Sequence, residues 1–308
     1  MFKKQIILIL FFFLTSNYVF SNDDVFISVY VDDKIITNID IKKESGYLKI
    51  LNPNLEQLET QKIKDIAKKS LINEIIKKEE IKKFLDLTRD NPLEDQMLGN
   101  LYNKLNIEQE AFENILSYNK TYTINEVKEK LKVEIFWNDL IYLRYKNQVK
   151  IDKNSLLKKI ESISNDKVKE YSLLEIIFEK NKDEELKFII NKIKNSISEI
   201  GFNNTANIYS ISDSSKFGGK IGWIEETSLS KKITDELDDL KIGEYTNTIQ
   251  LGNNFLILMI DDMKIKKVEI NKEDELQKLI KFETTKQLTQ FSKIFFNKSK
   301  INYRINEN

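Results

Sequence analysis

The alternation of apolar and polar positions begins at residues 25–36, VFISVYVDDKII, where Val25, Ile27, Val29 and Val31 fall on one face. A period of two with one apolar face predicts a half-buried strand, and Asp32-Asp33 suits a turn. Thr37 and Asn38 can cap the helix that follows, and Pro53 ends that element. From about Gln61 to Leu85 the period becomes helical: Ile63, Ile66, Ala67, Leu71, Ile75 and Ile76 make a stripe, with lysine and glutamate on the other face. Asp86 to Pro92 is a break. LNIEQEAFENIL then begins a helix with Asn106 as cap and Gln109 at the capping-box spacing. Thr123 and Glu126 repeat that spacing ahead of a helix running to about Gln148, and residues 151–170 read as a further charged helix.

The helix after Thr123 departs from simple amphipathicity. Between Ile135 and Tyr145 it is apolar almost all round, so it must be covered on more than one side. One reading is ordinary core, the common fate of large aromatics. The other is partly exposed aromatics that receive an apolar client segment, with Phe136, Trp137, Tyr142 and Tyr145 as the contacts.

Tyr171 to Phe178, YSLLEIIF, reads as a strand. Asp183 to Ile200 is an amphipathic helix carrying Leu186, Ile189, Ile190, Ile193 and Ile197, stopped by Gly201. A Gly-Gly block, a short helix near Leu229–Leu240 and two strands follow. Asn271 caps a long helix with Leu276, Leu279, Ile280, Leu288, Phe291 and Phe295. In the closing KINYRI, Ile301, Tyr303 and Ile305 alternate like a strand. Strand patterns near both termini predict that residues 25–31 and 300–305 share a sheet. No repeat at solenoid periods is present.

Composition narrows the chemistry. The 308 residues suffice for two domains, and 49 basic against 49 acidic residues weigh against a dedicated nucleic-acid binder. There is no cysteine and no histidine, which removes thiol nucleophiles, disulfides, a lipid-bearing N-terminal cysteine, Ser–His–Asp catalysis and Cys- or His-ligated metals. No phosphate-cradling G-x-x-x-x-G-K-[ST] loop occurs. No metal and no cofactor are implied.

The chain opens MFKKQIILILFFFLTSNYVFSND. Lys3 and Lys4 precede a short apolar run from Ile6 to Leu14, and Val19-x-Ser21 suits a signal peptidase, which predicts a signal peptide over residues 1–21 cleaved near Ser21. The alternative is an uncleaved anchor, although the run is shorter than the ~20 residues a bilayer span needs. Export predicts a mature chain without stable membrane insertion, working where ATP is not available.

Four signatures lie in order across the middle of the chain. They are L-x-E-I-I-F in a strand before a helix; Tyr209-Ser210 followed by Gly218-Gly219-x-Ile221-Gly222-Trp223; Leu240-Lys241-x-Gly243-Glu244 before a strand ending at Ile249; and a Gly252 turn into Phe255-Leu-Ile-Leu. A lone Gly-Gly needs only a tight turn, but four ordered signatures are far more specific. The segment resembles a parvulin-type (PpiC/rotamase) prolyl isomerase domain. With its helical flanks behind an export signal, nearly the whole mature chain resembles the SurA family of periplasmic chaperones, with one parvulin unit where such proteins often have two.

The resemblance implies an α+β fold. Residues 22–170 form a mainly helical chaperone domain with 264–308, and a small parvulin-like α/β domain at 171–263, a four-stranded antiparallel sheet flanked by helices, is inserted between them. It also implies a periplasmic, ATP-independent chaperone that binds unfolded outer-membrane β-barrel proteins in transit, with the outer-membrane assembly machinery as a further partner. The alternative is an active parvulin-type peptidyl-prolyl isomerase. Carried across residue by residue, the family's two site histidines fall on Glu175 and Leu256, its Cys or Asp on Ser212, its pocket Met or Leu on Leu229 and its pocket Phe on Ile233. Weak or absent isomerase activity follows. Glu175 is then either a rim position of the strand or a substitute acid in the pocket.

Overall fold

A computed structural model describes residues 24–89, 91–161, 168–180, 185–252, 254–266 and 271–308. The expected signal peptide lies outside them. No helix among the described residues is long and apolar enough to cross a membrane.

The architecture is helical at both ends with an α+β unit between. The first strand pattern folds as a hairpin, β1 (Ile27–Val31) and β2 (Lys34–Thr37), turning at Asp32 with φ of 51°. Aspartate tolerates this left-handed conformation because its short polar side chain bonds locally. Val29, Val31 and Ile36 face the core. Val25 is exposed, because it precedes the strand and the register shifts between Ile27 and Val29.

Helix α1 (Asn38–Leu51) starts on a capping box: the Thr37 hydroxyl accepts from the Asp40 N–H, and the Asp40 carboxylate accepts from the Thr37 N–H. Pro53 opens a short 3-10 turn beyond it. Helix α2 (Thr60–Lys82) buries Ile63, Ala67, Ile72 and Ile76 in the same core as Leu48, Leu51 and Phe112. Then comes a helix that periodicity did not reveal, α3 (Leu93–Leu105), with only Leu98 and Leu101 fully buried. Asn106 does not start the next helix. It ends α3 in the left-handed conformation that asparagine tolerates (φ 54°), and α4 (Gln109–Tyr118) begins after Glu108. Helix α5 (Ile124–Tyr145) carries the expected Thr123–Glu126 capping box. Helix α6 (Lys153–Glu161) is shorter than the predicted charged helix.

The central unit begins with β3 (Val168–Glu179), three residues before the expected Tyr171. Helix α7 (Leu186–Tyr209) passes through Gly201 instead of stopping there: φ of 80° breaks the helix locally, and helical turns resume to Tyr209. Strand β4 (Lys220–Glu225), helix α8 (Lys231–Leu237), β5 (Ile249–Leu251) and β6 (Asn254–Lys266) follow. The sheet is antiparallel throughout, in the order β4-β3-β6-β5. One face packs α7 through Leu174, Ile176 and Phe178; the other packs α8 through Tyr171, Leu173 and Ile177.

Helix α9 (Lys272–Lys300) returns to the first helices, its Asn271 cap accepting from the Glu273 N–H. The chain ends in β7 (Ile305–Glu307), which pairs antiparallel with β1. Residues 301–303 turn after α9, so the pairing begins only at Ile305, the last residue of the KINYRI alternation, and continues past it, at Val31↔Ile305 and Val29↔Glu307.

Helix α9 also decides the fate of the aromatic helix. Trp137 is 1% exposed, stacks on Phe295 at 5.5 Å and donates its indole N–H to the Ser292 hydroxyl at 2.8 Å. Phe136 is buried in the same cluster, and Tyr145 stacks on Phe291 at 4.9 Å. Phe136 and Trp137 are therefore core and Tyr145 is half-buried against them: a helix apolar all round needed a second cover, and the C-terminal helix supplies it. Of the four candidates only Tyr142 is open, 52% exposed beside Leu143.

Candidate functional site

The carried-over site positions converge on one face of the central sheet. Glu175 opposes Leu258 across the β3–β6 pair, and Ile177 opposes Leu256. Gly218 and Gly219 bring the chain across β3: the Glu175 N–H donates to the Gly219 carbonyl at 2.8 Å. The loop after α7 is pinned to the same strand. The Ile211 N–H donates to the Ile177 carbonyl at 2.7 Å, and the buried Ser210 hydroxyl accepts from the Ile177 N–H at 3.1 Å. These bonds place Ser212 over Glu175, and the hydroxyls of Ser212 and Ser214 donate to the same carboxylate oxygen, Oε1, at 2.5 and 2.9 Å. Glu175 is thus neither a free rim residue nor an acid inside the apolar pocket. It is a half-buried carboxylate capped by two serines.

The other carried-over positions are buried. Leu229, Ile233 and Leu256 are 4, 9 and 4% exposed and pack with Ile177, Leu237, Ile249 and Leu258 in one cluster. The Glu175 carboxylate beside them accepts two hydroxyls at Oε1, and the chain contains no imidazole.

Between this unit and the helical one lies a cleft of about 470 Å³, whose walls include α2, α5, α9 and the Ser210–Phe217 loop. Composition hid it, because lysine and asparagine are common everywhere in this chain. The two units are locked across it by paired charges and amides. Lys77, 8% exposed, reaches Glu134 at 2.6 Å and Asp213 at 3.2 Å, and Lys216 reaches Glu134 at 3.4 Å. Asn52 donates to Asn207 at 2.6 Å, and Asn207 donates onward to the Ser215 carbonyl. The nearby Lys77 ammonium, reinforced by Lys216, holds the Asp213 carboxyl below the usual range.

Residues 167–262 match the family model of the PPIC-type PPIASE domain, the rotamase family. The central unit is therefore a parvulin-type domain, and the fold is the expected mainly helical frame around a four-stranded antiparallel sheet. No curated protein matches the chain. Among solved structures it is similar to PrsA of Bacillus subtilis, at 16% identity over 87% of this chain and 90% of that one, with a TM-score of 0.30. It is also similar to one of two SurA-like chaperones of Campylobacter jejuni, the virulence factor PEB4 and the periplasmic protein Cj1289, at 15% identity over 92% and 98%, with a TM-score of 0.35. For PrsA of Streptococcus pneumoniae the values are 14%, 89% and 91%, and 0.28.

Proposed function

We infer that the chain is an ATP-independent periplasmic chaperone that holds unfolded outer-membrane β-barrel proteins in transit, and that its parvulin-type domain serves as a scaffold with little or no isomerase turnover. The observation that carries this reading is the burial of Leu229, Ile233 and Leu256 in one apolar cluster, at the positions the resemblance gives to the proline pocket, beside a serine-capped Glu175 in place of histidine. Uncatalysed prolyl isomerisation crosses a barrier of ~18–20 kcal/mol. A carboxylate acceptor beside a closed apolar cluster offers the twisted imide neither room nor a donor. Handover to the outer-membrane assembly machinery belongs to the same reading.

The test is a proline-peptide assay beside an aggregation assay on one preparation. The expected result is isomerisation at the uncatalysed rate together with suppressed aggregation of an unfolded porin. Turnover typical of active parvulins would overturn the scaffold role, and unchecked aggregation at molar excess would overturn the chaperone.

Exposed apolar side chains on the helical unit give clients somewhere to dock. Phe84, Tyr142 and Leu143 are open to solvent, and Arg144 lies over the Phe84 ring. Replacing Tyr142 and Leu143 together by serine is expected to reduce aggregation suppression at least about two-fold. The melting temperature should stay nearly unchanged, because surface substitutions away from special features usually stay within about 0.5 kcal/mol. Unaltered suppression would place the client surface elsewhere.

A further inference from the structure

The cleft between the two units has an unbalanced wall. Six lysines line it against four carboxylates, Glu74, Glu134, Glu175 and Asp213. Each carboxylate is engaged: Glu74 by Lys78 and Lys130, Glu134 and Asp213 by Lys77, with Lys216 also on Glu134, and Glu175 by its two serines. Lys69, Lys104 and Lys293 line the same cleft, and no carboxylate among the described residues lies within ion-pair distance of them. Lys104 has only the Phe217 ring, 3.6 Å from its ammonium. Desolvation by the surrounding walls holds the Lys69 and Lys293 ammonium groups below the usual lysine range and pushes Lys104 down to about 8.

These lysines are carried by three different helices, α2, α3 and α9, so they enter the cleft from separate stations on its wall. Between the stations the walls offer hydrogen-bonding groups at helical spacing. On α2, Lys69, Asn73 and Lys77 follow one another a turn apart, and on α9, Thr289, Lys293 and Asn297 do the same. The Asn73 side-chain oxygen is buried without a hydrogen-bond partner. A cleft of about 470 Å³ falls within the roughly 300–1,000 Å³ usual for ligand sites. Its resident carboxylates disfavour a densely charged polyphosphate and suit a chain whose charges are spaced apart.

We propose that this cleft binds an extended acidic polypeptide segment, its carboxylates spaced to meet Lys69, Lys104 and Lys293 and its backbone bonding to the asparagine, serine and threonine side chains of the walls. The proposal rests on the chaperone reading and names a chemical class of client that enters between the units, apart from the apolar surface at Tyr142.

The experiment measures anisotropy of a labelled peptide alternating aspartate with serine, against its asparagine–serine counterpart, using the full chain. The acidic peptide is expected to bind at least about ten-fold tighter at low salt and to lose that preference as salt screens the cleft. K69Q and K293Q should each weaken it about three- to five-fold, and the double variant about ten-fold or more, on the scale of exposed ion pairs. Neither lysine has a partner to lose, so both variants should melt like the parent; R89Q, outside the cleft lining, should bind as the parent does. Equal affinity for the two peptides, or no change in the double variant, would overturn the proposal. So would displacement of the peptide by equimolar inorganic phosphate, which would mark a small-anion site. Aggregation suppression of an uncharged unfolded client, measured in parallel, separates the two readings: suppression without acidic preference removes only the cleft proposal, and acidic preference without suppression removes the chaperone.

Discussion

Gly219→Ala is expected to cost about 3–5 kcal/mol and to unfold the parvulin-type unit selectively. A Cβ at this position would sit 2.4 Å from the Glu175 carbonyl oxygen and 3.0 Å from the Ala206 Cβ, and φ is +82°. The first contact is with backbone, so no side chain can swing away. Relief requires breaking the Glu175 N–H to Gly219 carbonyl bond that holds the loop to β3, and with it the position of Ser212. Gly222→Ala is the matched control. It also has positive φ, +85°, but nothing lies within 4 Å of the added carbon, so only the left-handed strain of about 1–2 kcal/mol is paid. Near-UV circular dichroism of Trp223 on β4, followed through thermal melting, reports the unit directly. Equal stability of the two variants would show that the loop crosses the strand less closely than described.

Lys130→Met is expected to destabilise the helical unit by about 3–5 kcal/mol at neutral pH, because it strips a cation from the buried Glu44 and the half-buried Glu74. Glu44 is 2% exposed and accepts from Ser70 at 2.6 Å, Tyr122 at 2.8 Å and Lys130 at 2.9 Å; Lys130 also bonds Glu74. Burial alone would raise the Glu74 carboxyl, but Lys130 and Lys78 outweigh it and hold it at about 2, against an ordinary 4.5. A folded value below the unfolded one stabilises the protein above about pH 4.5, and that stability drains away as pH falls toward 2. The deficit of Lys130→Met should therefore be largest near pH 7 and smaller at pH 3. Urea unfolding at the two pH values measures it. A deficit independent of pH would assign the loss to packing of the lysine stem. Adding Glu44→Gln to Lys130→Met should recover part of the loss, since a neutral amide no longer needs the ammonium.

Local rules carried much of the chain. The Thr123–Glu126 box, the Asn271 cap, the Pro53 stop and the Asp32-Asp33 turn all involve partners a few residues apart, so the sequence alone specifies them. The ordered Gly-Gly and β-strand signatures specified the parvulin-type unit. The failures share one physical cause. Asn106 is equally suited to starting a helix or ending one, and its role followed from α3, whose apolar stripe is too thin to stand out. Gly201 breaks helical geometry but not the path of the chain.

What the sequence by itself determined is the inventory and the local conformation: no imidazole, no thiol, a glycine-built scaffold and the helices with their caps. Tertiary structure decided which surfaces remain available. Trp137 and Phe136 became core because α9, more than a hundred residues away, covers them. Glu175 became a capped carboxylate because a loop lays two serines across it. Three lysines became unpaired cleft residues because their helices meet a serine-rich loop from another unit. Burial and pairing are properties of segments brought together over long sequence separations, and no local pattern encodes them.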